Sequence, residues 1–331
     1  MTATITVLGT WEADQVTVGQ IEDALSELRR GEVRAAVRTS VLTLVIVVDS
    51  RAAGDAALEV VNRMGGRHPS RTLVLVAPAS ADGRPGIDAC ARVRVASVDE
   101  RQVCFEDVIM EVRGPGRHHL ASIVEPFTLP DLPVVVWLPQ HLPTLGDPLL
   151  ATADRILIDT RSVSDDEDAA VFANVAVLAR KLPVSDLSWV RLAPWRSLLA
   201  GQFQGAVNRP FLRGVRQVEV SGHFGPRHLL GGWLLSRLQL QRSHIHLAEA
   251  AHVSITIHAS VEGRHGRFAV LRPSDAREIT AQLEIDDGPV MTQTLRMRDR
   301  WPDRALAEAL TRMGRDEIYG EAVAGALELT R

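Results

Sequence analysis

Cysteine and lysine are nearly absent from this chain. Cys90 and Cys104 are its only cysteines, and Lys181 is its only lysine among 331 residues. Two cysteines are too few for a disulfide framework and fit a reducing compartment. Arginine therefore carries almost all of the positive charge, and the formal net charge is still −4. A dedicated nucleic-acid-binding protein needs a basic surface for phosphates, so we expect no nucleic-acid partner.

Long apolar runs are also missing. The longest candidate, residues 41–48, has the length of a strand and falls far short of the roughly 20 residues of a membrane-spanning helix. Residues 1–7 alternate like a strand and contain no basic run, which is unlike a secretory leader. We therefore expect a cytoplasmic protein with no membrane partner.

The motifs that usually hold a cofactor or carry out catalysis are absent as well. The sequence has no Gly-x-Gly-x-x-Gly and no Gly-Lys-Ser/Thr loop to cradle nucleotide phosphates. It also lacks the Gly-x-Ser-x-Gly elbow of a serine hydrolase. His244 and His246 could point to one face of a strand, but no third ligand stands at a suitable spacing. We expect no cofactor, no metal and no catalytic residues.

The first half of the chain has the pattern of a parallel α/β sheet. The apolar, β-branched run at residues 41–48 predicts a strand covered on both faces, and further strands are expected at residues 71–76, 133–139 and 155–159. Capping-box spacing from Thr17 to Gln20 predicts one helix, and another is expected over residues 55–64. We therefore predict an N-terminal α/β domain, residues 1–183, with a mostly parallel sheet flanked by helices.

Two stretches of this half alternate between apolar and polar residues instead. Residues 91–98 and 103–112 predict an antiparallel pair with one exposed face. Cys90 and Cys104 could face each other across that pair. Because Cys-x-x-Cys spacing is absent, buried thiols are favoured over a redox switch. Residues 117–127, which follow, resemble a helix.

The second half has a different pattern. Strands are expected at residues 213–220, 253–261, 266–271, 278–285 and 290–298, and helices at 227–240, 303–313 and 317–329. Turn residues between several of these strands favour antiparallel pairing. We predict a C-terminal α+β domain, residues 184–331, with a mostly antiparallel sheet and a tryptophan-rich segment at its start.

That segment, Asp186-Leu-Ser-Trp-Val-Arg-Leu-Ala-Pro-Trp-Arg196, holds two of the six tryptophans. Pro194 lacks a backbone N–H, so a helix kinks or starts there. Large residues from Trp195 to Phe203 spread around most of a helical wheel, which is typical of a helix buried between other elements. We interpret it as a wedge between two halves of the protein, with Arg191 and Arg196 as its polar contacts.

Two polar loops leave a small-anion site open as an alternative. Asp49-Ser50-Arg51 follows the first buried strand, at the edge where open α/β sheets bind ligands. His68-Pro-Ser-Arg71 precedes the second buried strand, where ligands are less usual. Arg51, His68 and Arg71 are candidate ligands for a phosphorylated sugar or a similar anion, and the alternative interpretation is a pair of structural loops.

Several segments together resemble a known family. These are Leu42-Thr-Leu-Val-Ile-Val, His68-Pro-Ser-Arg, Leu129-Pro-Asp-Leu-Pro-Val-Val-Val-Trp-Leu-Pro, the tryptophan segment and Leu230-Gly-Gly-Trp-Leu-Leu. In this order they resemble the glucose-6-phosphate dehydrogenase assembly protein family, OpcA, over most of the chain. The tryptophan segment is the most specific part. The family positions are His68, Pro69, Arg71, Trp137, Trp189, Arg191, Pro194, Trp195, Arg196 and Trp233.

The resemblance implies a function that residue chemistry alone does not. Family members are non-catalytic factors that help a glucose-6-phosphate dehydrogenase to assemble and become active, so that enzyme is the expected partner. The arginine-rich composition leans toward an actinobacterial source. Ser70 stands where members often have cysteine, so thiol-based control is not carried over to that position. An enzyme or sensor that binds a phosphorylated sugar remains the alternative.

Overall fold

The computed structural model describes residues 5–32, 40–64, 67–78, 84–98, 101–162, 170–273, 277–297, 302–312 and 314–331. The helices are α1 Val18–Glu32, α2 Arg51–Arg63, α3 Leu120–Val124, α4 Pro148–Ala151, α5 Ala170–Lys181, α6 Leu187–Arg191, α7 Ala193–Gln202, α8 Phe224–Arg237, α9 Pro302–Thr311 and α10 Glu317–Leu329. Within these ranges, no helix has both the length and the apolar character needed to cross a membrane.

The strands form two sheets. They are β1 Ile5–Ala13, β2 Leu42–Val48, β3 Ser70–Val76, β4 Gly86–Val98, β5 Arg101–Arg113, β6 Val134–Leu138, β7 Arg155–Ile158, β8 Val184–Asp186, β9 Val215–Gly222, β10 Ile245–Glu249, β11 Ser254–Val261, β12 Arg264–Leu271, β13 Glu278–Ile285 and β14 Met291–Arg296. The first eight strands make one sheet and the last six the other.

The chain folds into two compact units, and it enters each of them more than once. The first unit comprises Met1–Ile158, Leu182–Val184 and Pro302–Met313. The second comprises Asp159–Lys181, Ser185–Trp301 and Gly314–Arg331. Helix α5 therefore counts with the second unit and α9 with the first. A single boundary near residue 183 stays a prediction.

The first unit contains the mostly parallel sheet that the apolar runs predict. Its strand order is β1-β4-β5-β3-β2-β6-β7-β8, and β5, β3, β2, β6 and β7 run parallel. Every residue of β3, β6 and β7 is buried, as expected for strands with helices on both faces. Strands β1 and β4 extend the sheet in antiparallel fashion.

Two helix boundaries show how local chemistry decides the ends. The predicted capping box is present, since the amide of Gln20 donates to Oγ1 of Thr17 at 3.3 Å and the amide of Thr17 donates to Oε1 of Gln20 at 2.9 Å. The helix expected over residues 55–64 begins earlier, at Arg51, because Ser50 caps it by accepting from the amide of Ala53.

Two expectations about the first unit were wrong. Residues 117–127 do not form one helix, because a 3₁₀ turn at Gly114–His119 and another at Glu125–Phe127 flank the short α3. Each 3₁₀ turn has a proline in its first positions, and proline lacks the N–H that a continuous helix needs. The second error concerns Cys90 and Cys104, which do not face each other. The hairpin register pairs Cys90 with Ile109 and Cys104 with Val95.

The second unit contains the mostly antiparallel sheet, in the order β10-β9-β11-β12-β13-β14. Strands β9 and β10 pair in parallel, whereas the other described pairs of this sheet are antiparallel. Strand β10 was not predicted from the periodicity. Helices α8 and α10 pack closely against each other, and α8 also contacts β9 and β10. The core-facing side chains of the sheet are buried, among them Ile255, Ile257 and Phe268.

Candidate functional site

The tryptophan segment folds as two short helices inside the second unit. Asp186 starts α6 as its N-cap, accepting from the amide of Ser188 at 2.8 Å. Helix α6 ends at Arg191, and α7 begins at Ala193 with Pro194 in its first turn. Proline is favoured there because the first amides of a helix have no intrahelical partner. The kink or start predicted at this proline is thus a helix start.

Trp189 is held by a carboxylate on one side and a guanidinium on the other. Its side chain is buried, and Nε1 donates to Oδ2 of Asp316 at 3.1 Å. The guanidinium carbon of Arg196 lies 3.3 Å from the ring centroid of Trp189, and Nη2 of Arg196 donates to the Trp189 carbonyl at 3.2 Å. Stacking of this kind is a cation–π contact, which is stronger where water is excluded.

Arg191 is also paired. Its Nη2 forms an ion pair with Oδ1 of Asp159 and contacts Oγ of Ser188 at 3.2 Å. The Ser188 hydroxyl donates to the same carboxylate at 2.7 Å. Both arginines of the segment are therefore engaged within the second unit, as a poorly solvated guanidinium requires. Their place at a seam between domains stays a prediction.

Trp195 lies against the sheet of the second unit. It is 5% exposed, and its Nε1 donates to the carbonyl of Val253 at 3.1 Å. Leu199 and Phe203, on the same helix and its end, are buried too, whereas Leu198 is half-buried. Phe203 packs against Phe268 of β12, with ring centroids 4.3 Å apart and the rings tilted by 32°. The apolar residues of α7 are thus part of the core.

A buried aspartate connects these elements. Both oxygens of Asp186 accept from Thr160, from its amide at 3.2 Å and from its hydroxyl at 2.8 Å, and the Tyr319 hydroxyl lies 3.4 Å away. Burial, followed by the charge of Asp159, raises the pKa of Asp186 to about 6, although its hydrogen bonds oppose that shift. Burial raises the pKa of Tyr319 well above its ordinary value. Asp186 and Tyr319 line neither of the two described cavities.

The family positions of the first unit lie at the amino-terminal end of β3 and on β6. Arg71 is 6% exposed; its Nε binds Oε2 of Glu106 at 2.7 Å and its Nη1 donates to the Phe127 carbonyl at 2.8 Å. His68 is half-buried, with Nε2 at 3.0 Å from the Ala307 carbonyl, and burial lowers its pKa. Pro69 is half-buried between them.

The remaining two family tryptophans differ from Trp189 and Trp195. Trp137 is buried on β6, and the structure describes no hydrogen-bond partner for its Nε1. Trp233 is half-buried on α8. A buried indole N–H without a partner is unfavourable, so the apolar packing of Trp137 must outweigh that cost.

The three candidate anion ligands do not converge. Arg51 follows the carboxyl end of β2, where it pairs with Glu111 at 3.0 Å and with Asp55 at 3.3 Å. Arg71 and His68 lie at the amino end of the neighbouring parallel strand β3. A seven-residue strand separates the two edges by roughly 20 Å, so one small anion cannot contact all three.

The two histidines considered as metal ligands are also separate in structure. His244 lies in a 3₁₀ turn and His246 on β10, so they do not share one strand face. Among the described residues, no group of three or more metal-ligating side chains comes together.

Sequence reasoning missed the carboxylates that organise both regions. Asp159, Asp316 and Glu106 each bind an arginine or tryptophan of the family motifs. The aspartate at position 316 could have been found as an N-cap, since it precedes α10 and accepts from the amide of Tyr319. Its bond to a tryptophan 127 residues away has no local signal.

Two family models match most of the chain. Residues 61–175 match the family model described as the N-terminal domain of a glucose-6-phosphate dehydrogenase subunit, and residues 182–323 match the model for its C-terminal domain. The tryptophan segment lies within the second match, close to its start.

Curated relatives come from cyanobacteria and are named as candidate OxPP cycle protein OpcA. The protein of Synechocystis sp. is 26% identical over 143 residues, which cover 41% of this chain and 30% of the relative. That of Synechococcus elongatus is 25% identical over 187 residues, covering 54% and 42% respectively. The matched region thus spans less than half of the curated relatives. The expected actinobacterial source stays a prediction.

Solved structures show weaker likenesses. A glucose-6-phosphate 1-dehydrogenase from Mycobacterium avium has a TM-score of 0.47 at 11% identity, covering 88% of this chain and 91% of that one. A scyllo-inositol dehydrogenase from Lactobacillus casei has a TM-score of 0.40 at 9% identity, covering 87% and 95%. Likeness at this level supports no functional inference. The two adjoining family models, together with the motifs, do identify the family: the chain belongs to the OpcA family of glucose-6-phosphate dehydrogenase assembly proteins.

Proposed function

We propose that this protein binds a glucose-6-phosphate dehydrogenase, favours its active oligomer, and catalyses no reaction itself. Through that enzyme it would support the oxidative pentose phosphate pathway. The observation that carries the proposal is the pair of family models over residues 61–175 and 182–323, both described as domains of a glucose-6-phosphate dehydrogenase subunit.

The environment of the motif residues supports a scaffolding role for them. Trp189, Trp195 and Arg71 are each less than a tenth exposed, and their polar atoms bind groups of their own unit. A buried side chain that is hydrogen-bonded within its own unit stabilises the fold that supports a binding surface. It does not contact a partner directly. We therefore propose that the motifs keep each unit rigid, and that other residues make the contact.

The energy that such a protein must supply is modest. A partner that binds the active state of the dehydrogenase more tightly than the inactive state shifts the population toward the active state. A tenfold shift requires about 1.4 kcal/mol of differential affinity. One interface of ordinary size can supply that difference.

We propose that β14 contributes to the contact. It is the last strand of its sheet, and all six of its residues are exposed. Met291 and Leu295 are 58% and 42% exposed, and they pair in register with Leu283 and Ile279, which face the core. An exposed edge strand with apolar side chains is a template for pairing with another chain.

The experiment is a titration of the purified protein into its cognate dehydrogenase. NADP reduction reports the rate, and light scattering reports the mass of the complex. We expect the rate or the apparent substrate affinity to rise and to saturate at a fixed ratio of the two proteins. If neither rate, affinity nor mass changes at micromolar excess, the proposal fails. If the protein alone reduces NADP with glucose 6-phosphate, its non-catalytic part is wrong.

Charge substitutions on β14 test the contact surface. Met291→Glu and Leu295→Glu should weaken complex formation, because a carboxylate would have to lose its water in an apolar contact. Val207→Glu is the matched control, since Val207 is an exposed apolar residue of the same unit that lies outside the sheet. Equal binding by all three variants would remove β14 from the interface and leave the assembly function standing.

A further inference from the structure

A cavity opens at the amino-terminal ends of the parallel strands in the first unit. Its volume is about 230 Å³. The side chains around it come from the segment before β2, from β3 and β5, and from the loop before β6; they are Ser40, Arg71, Cys104, Glu106, Leu129, Pro130 and Leu132. Cofactors of open α/β sheets bind at the opposite, carboxyl-terminal edge, so this cavity is separate from the usual cofactor position.

The polar wall of the cavity is an arginine–glutamate pair. Arg71 and Glu106 are each 6% exposed, and their Cα atoms are register partners on β3 and β5. Oε2 of Glu106 binds Nε of Arg71 at 2.7 Å, and Oε1 binds Nε of Arg29 at 2.7 Å. Each carboxylate oxygen therefore already has a guanidinium partner.

Arg71 and Ser40 supply hydrogen-bond donors to the lining of the cavity. A guanidinium has five N–H groups in a planar fork, and the bonds of Arg71 to Glu106 and to the Phe127 carbonyl use its Nε and one N–H of Nη1. Ser40 adds a hydroxyl, while Leu129, Pro130 and Leu132 make the other wall apolar. These groups fit a small organic molecule that carries an anionic oxygen group. The anionic group would accept hydrogen bonds from Arg71, and the carbon atoms of the molecule would contact the apolar side chains.

We propose that this cavity binds a small metabolite through a phosphate or carboxylate group held by Arg71. Its volume lies below the roughly 300 Å³ at which sites for drug-sized ligands begin, so the ligand is of metabolite size. Charge-assisted hydrogen bonds from a planar guanidinium are the strong and geometrically selective way to hold such a group. The proposal does not depend on the dehydrogenase and concerns this chain alone.

Cys104 provides a direct reporter of occupancy. It lines the cavity and is half-buried, whereas Cys90 is 4% exposed and is not among the lining residues. In a Cys90→Ser background, the alkylation rate of Cys104 by uncharged iodoacetamide is measured by mass spectrometry. Inorganic phosphate and acetate are the two probes, in Tris buffer, with sodium chloride at the same ionic strength as the control for screening.

We expect phosphate, acetate or both to slow alkylation in a saturable way that chloride does not reproduce. Protection by phosphate alone assigns a phosphorylated ligand, and protection by acetate alone assigns a carboxylic acid. Absence of saturable protection by either probe overturns the proposal. Because no dehydrogenase is present, this outcome is independent of the assembly function.

Two variants connect protection to the cavity. Arg71→Lys keeps the positive charge but loses the planar guanidinium. The affinity for the protecting anion should therefore fall by about tenfold. Leu132→Trp fills the cavity while leaving the residues Arg71 and Glu106 unsubstituted, so Cys104 should react slowly and no longer respond to either anion. Arg51→Lys, at the opposite edge of the sheet, is the matched control and should behave like the parent. Unchanged protection in Leu132→Trp would overturn the assignment even if Arg71→Lys failed to fold.

Discussion

Gly232 of α8 and Gly325 of α10 face each other where these two helices cross. A Cβ atom built on Gly325 would lie 2.8 Å from the Cα of Gly232, well inside the separation of about 3.5–4.0 Å at which two carbons attract. A Cβ on Gly232 would overlap the backbone of Ala322 and Ala326. The two helices can approach this closely only because neither residue has a side chain.

Gly232→Ala should therefore destabilise the second unit. The methyl group meets backbone atoms, which cannot move aside as a flexible side chain does, and we expect a loss of about 1–3 kcal/mol or more in the free energy of unfolding. Gly320→Ala on α10 is the matched control, because a Cβ there meets nothing within 4 Å. It should stabilise the helix by up to about 1 kcal/mol. Urea denaturation measures both, and a loss of equal size in both variants would contradict the packing argument.

Trp195→Ala should lower the free energy of unfolding by about 3–5 kcal/mol, since it removes a buried aromatic ring from the core. Trp195→Phe should cost less, about 1–3 kcal/mol, through the lost hydrogen bond to Val253. Leu198→Ala, in the half-buried position of the same helix, should cost least. A Trp195→Ala variant that melts like the parent but no longer binds the dehydrogenase would place this tryptophan at an interface.

The buried Asp186 should make stability depend on pH. Its pKa is about 6 in the folded protein against an ordinary 3.8, so the folded state holds the proton more tightly than the unfolded state. The stabilisation from that proton is complete below about pH 4 and is lost as the pH rises through 6. The amide of the Asp186→Asn variant cannot ionise, so this loss of stability is absent from the variant. Between pH 4 and pH 7, the free energy of unfolding of the variant should therefore rise by about 3 kcal/mol relative to that of the parent. If the free energies of unfolding of the parent and the variant changed equally with pH, ionisation of Asp186 would not be the cause of the pH dependence.

Arg196 should stabilise the second unit through the ring of Trp189. Arg196→Met removes the cation that stacks 3.3 Å from the ring centroid, and a loss of about 1–2 kcal/mol is expected. Arg237→Met breaks a half-exposed ion pair with Glu321 and should cost less than about 1 kcal/mol. Thermal denaturation compares the two, and similar midpoints would show that the stacking adds little.

The two cysteines should not form a disulfide within the chain. Cys90 lies opposite Ile109, five residues along β5 from Cys104, which separates the two thiols by roughly 17 Å. A disulfide requires Cα atoms within about 7 Å. The Cys90→Ser, Cys104→Ser double variant should therefore respond to reductant as the parent does. Loss of two hydrogens from the parent mass on oxidation would contradict the register.

Structural features that depend on residues close together in the sequence were predictable. Features that depend on contacts between residues far apart in the sequence were not. The apolar runs of β3 and β6 identified the buried strands, and Thr17 with Gln20 identified the start of α1, because these signals lie within a few residues. The mutual position of Cys90 and Cys104 depends on where the hairpin turns, and a turn at another position shifts every pair. The pairing of Trp189 with Asp316 depends on α10 packing back onto the second unit. The motifs therefore supplied the residues of the candidate site as a prediction, while the carboxylates that bind them were found only in the folded chain.

Arg155 of β7 has a consequence for the order in which the protein can mature on the ribosome. It is 1% exposed, burial lowers its pKa, and its Nη1 donates to the Ala309 carbonyl of α9. That carbonyl is synthesised 154 residues after the arginine, a delay of roughly 10–30 s at ordinary translation rates. During this interval the nascent sheet contains a guanidinium whose acceptor on α9 has not yet been synthesised. The first unit thus becomes complete only after most of the second unit has been translated, since Pro302–Met313 follows Ser185–Trp301 in the chain.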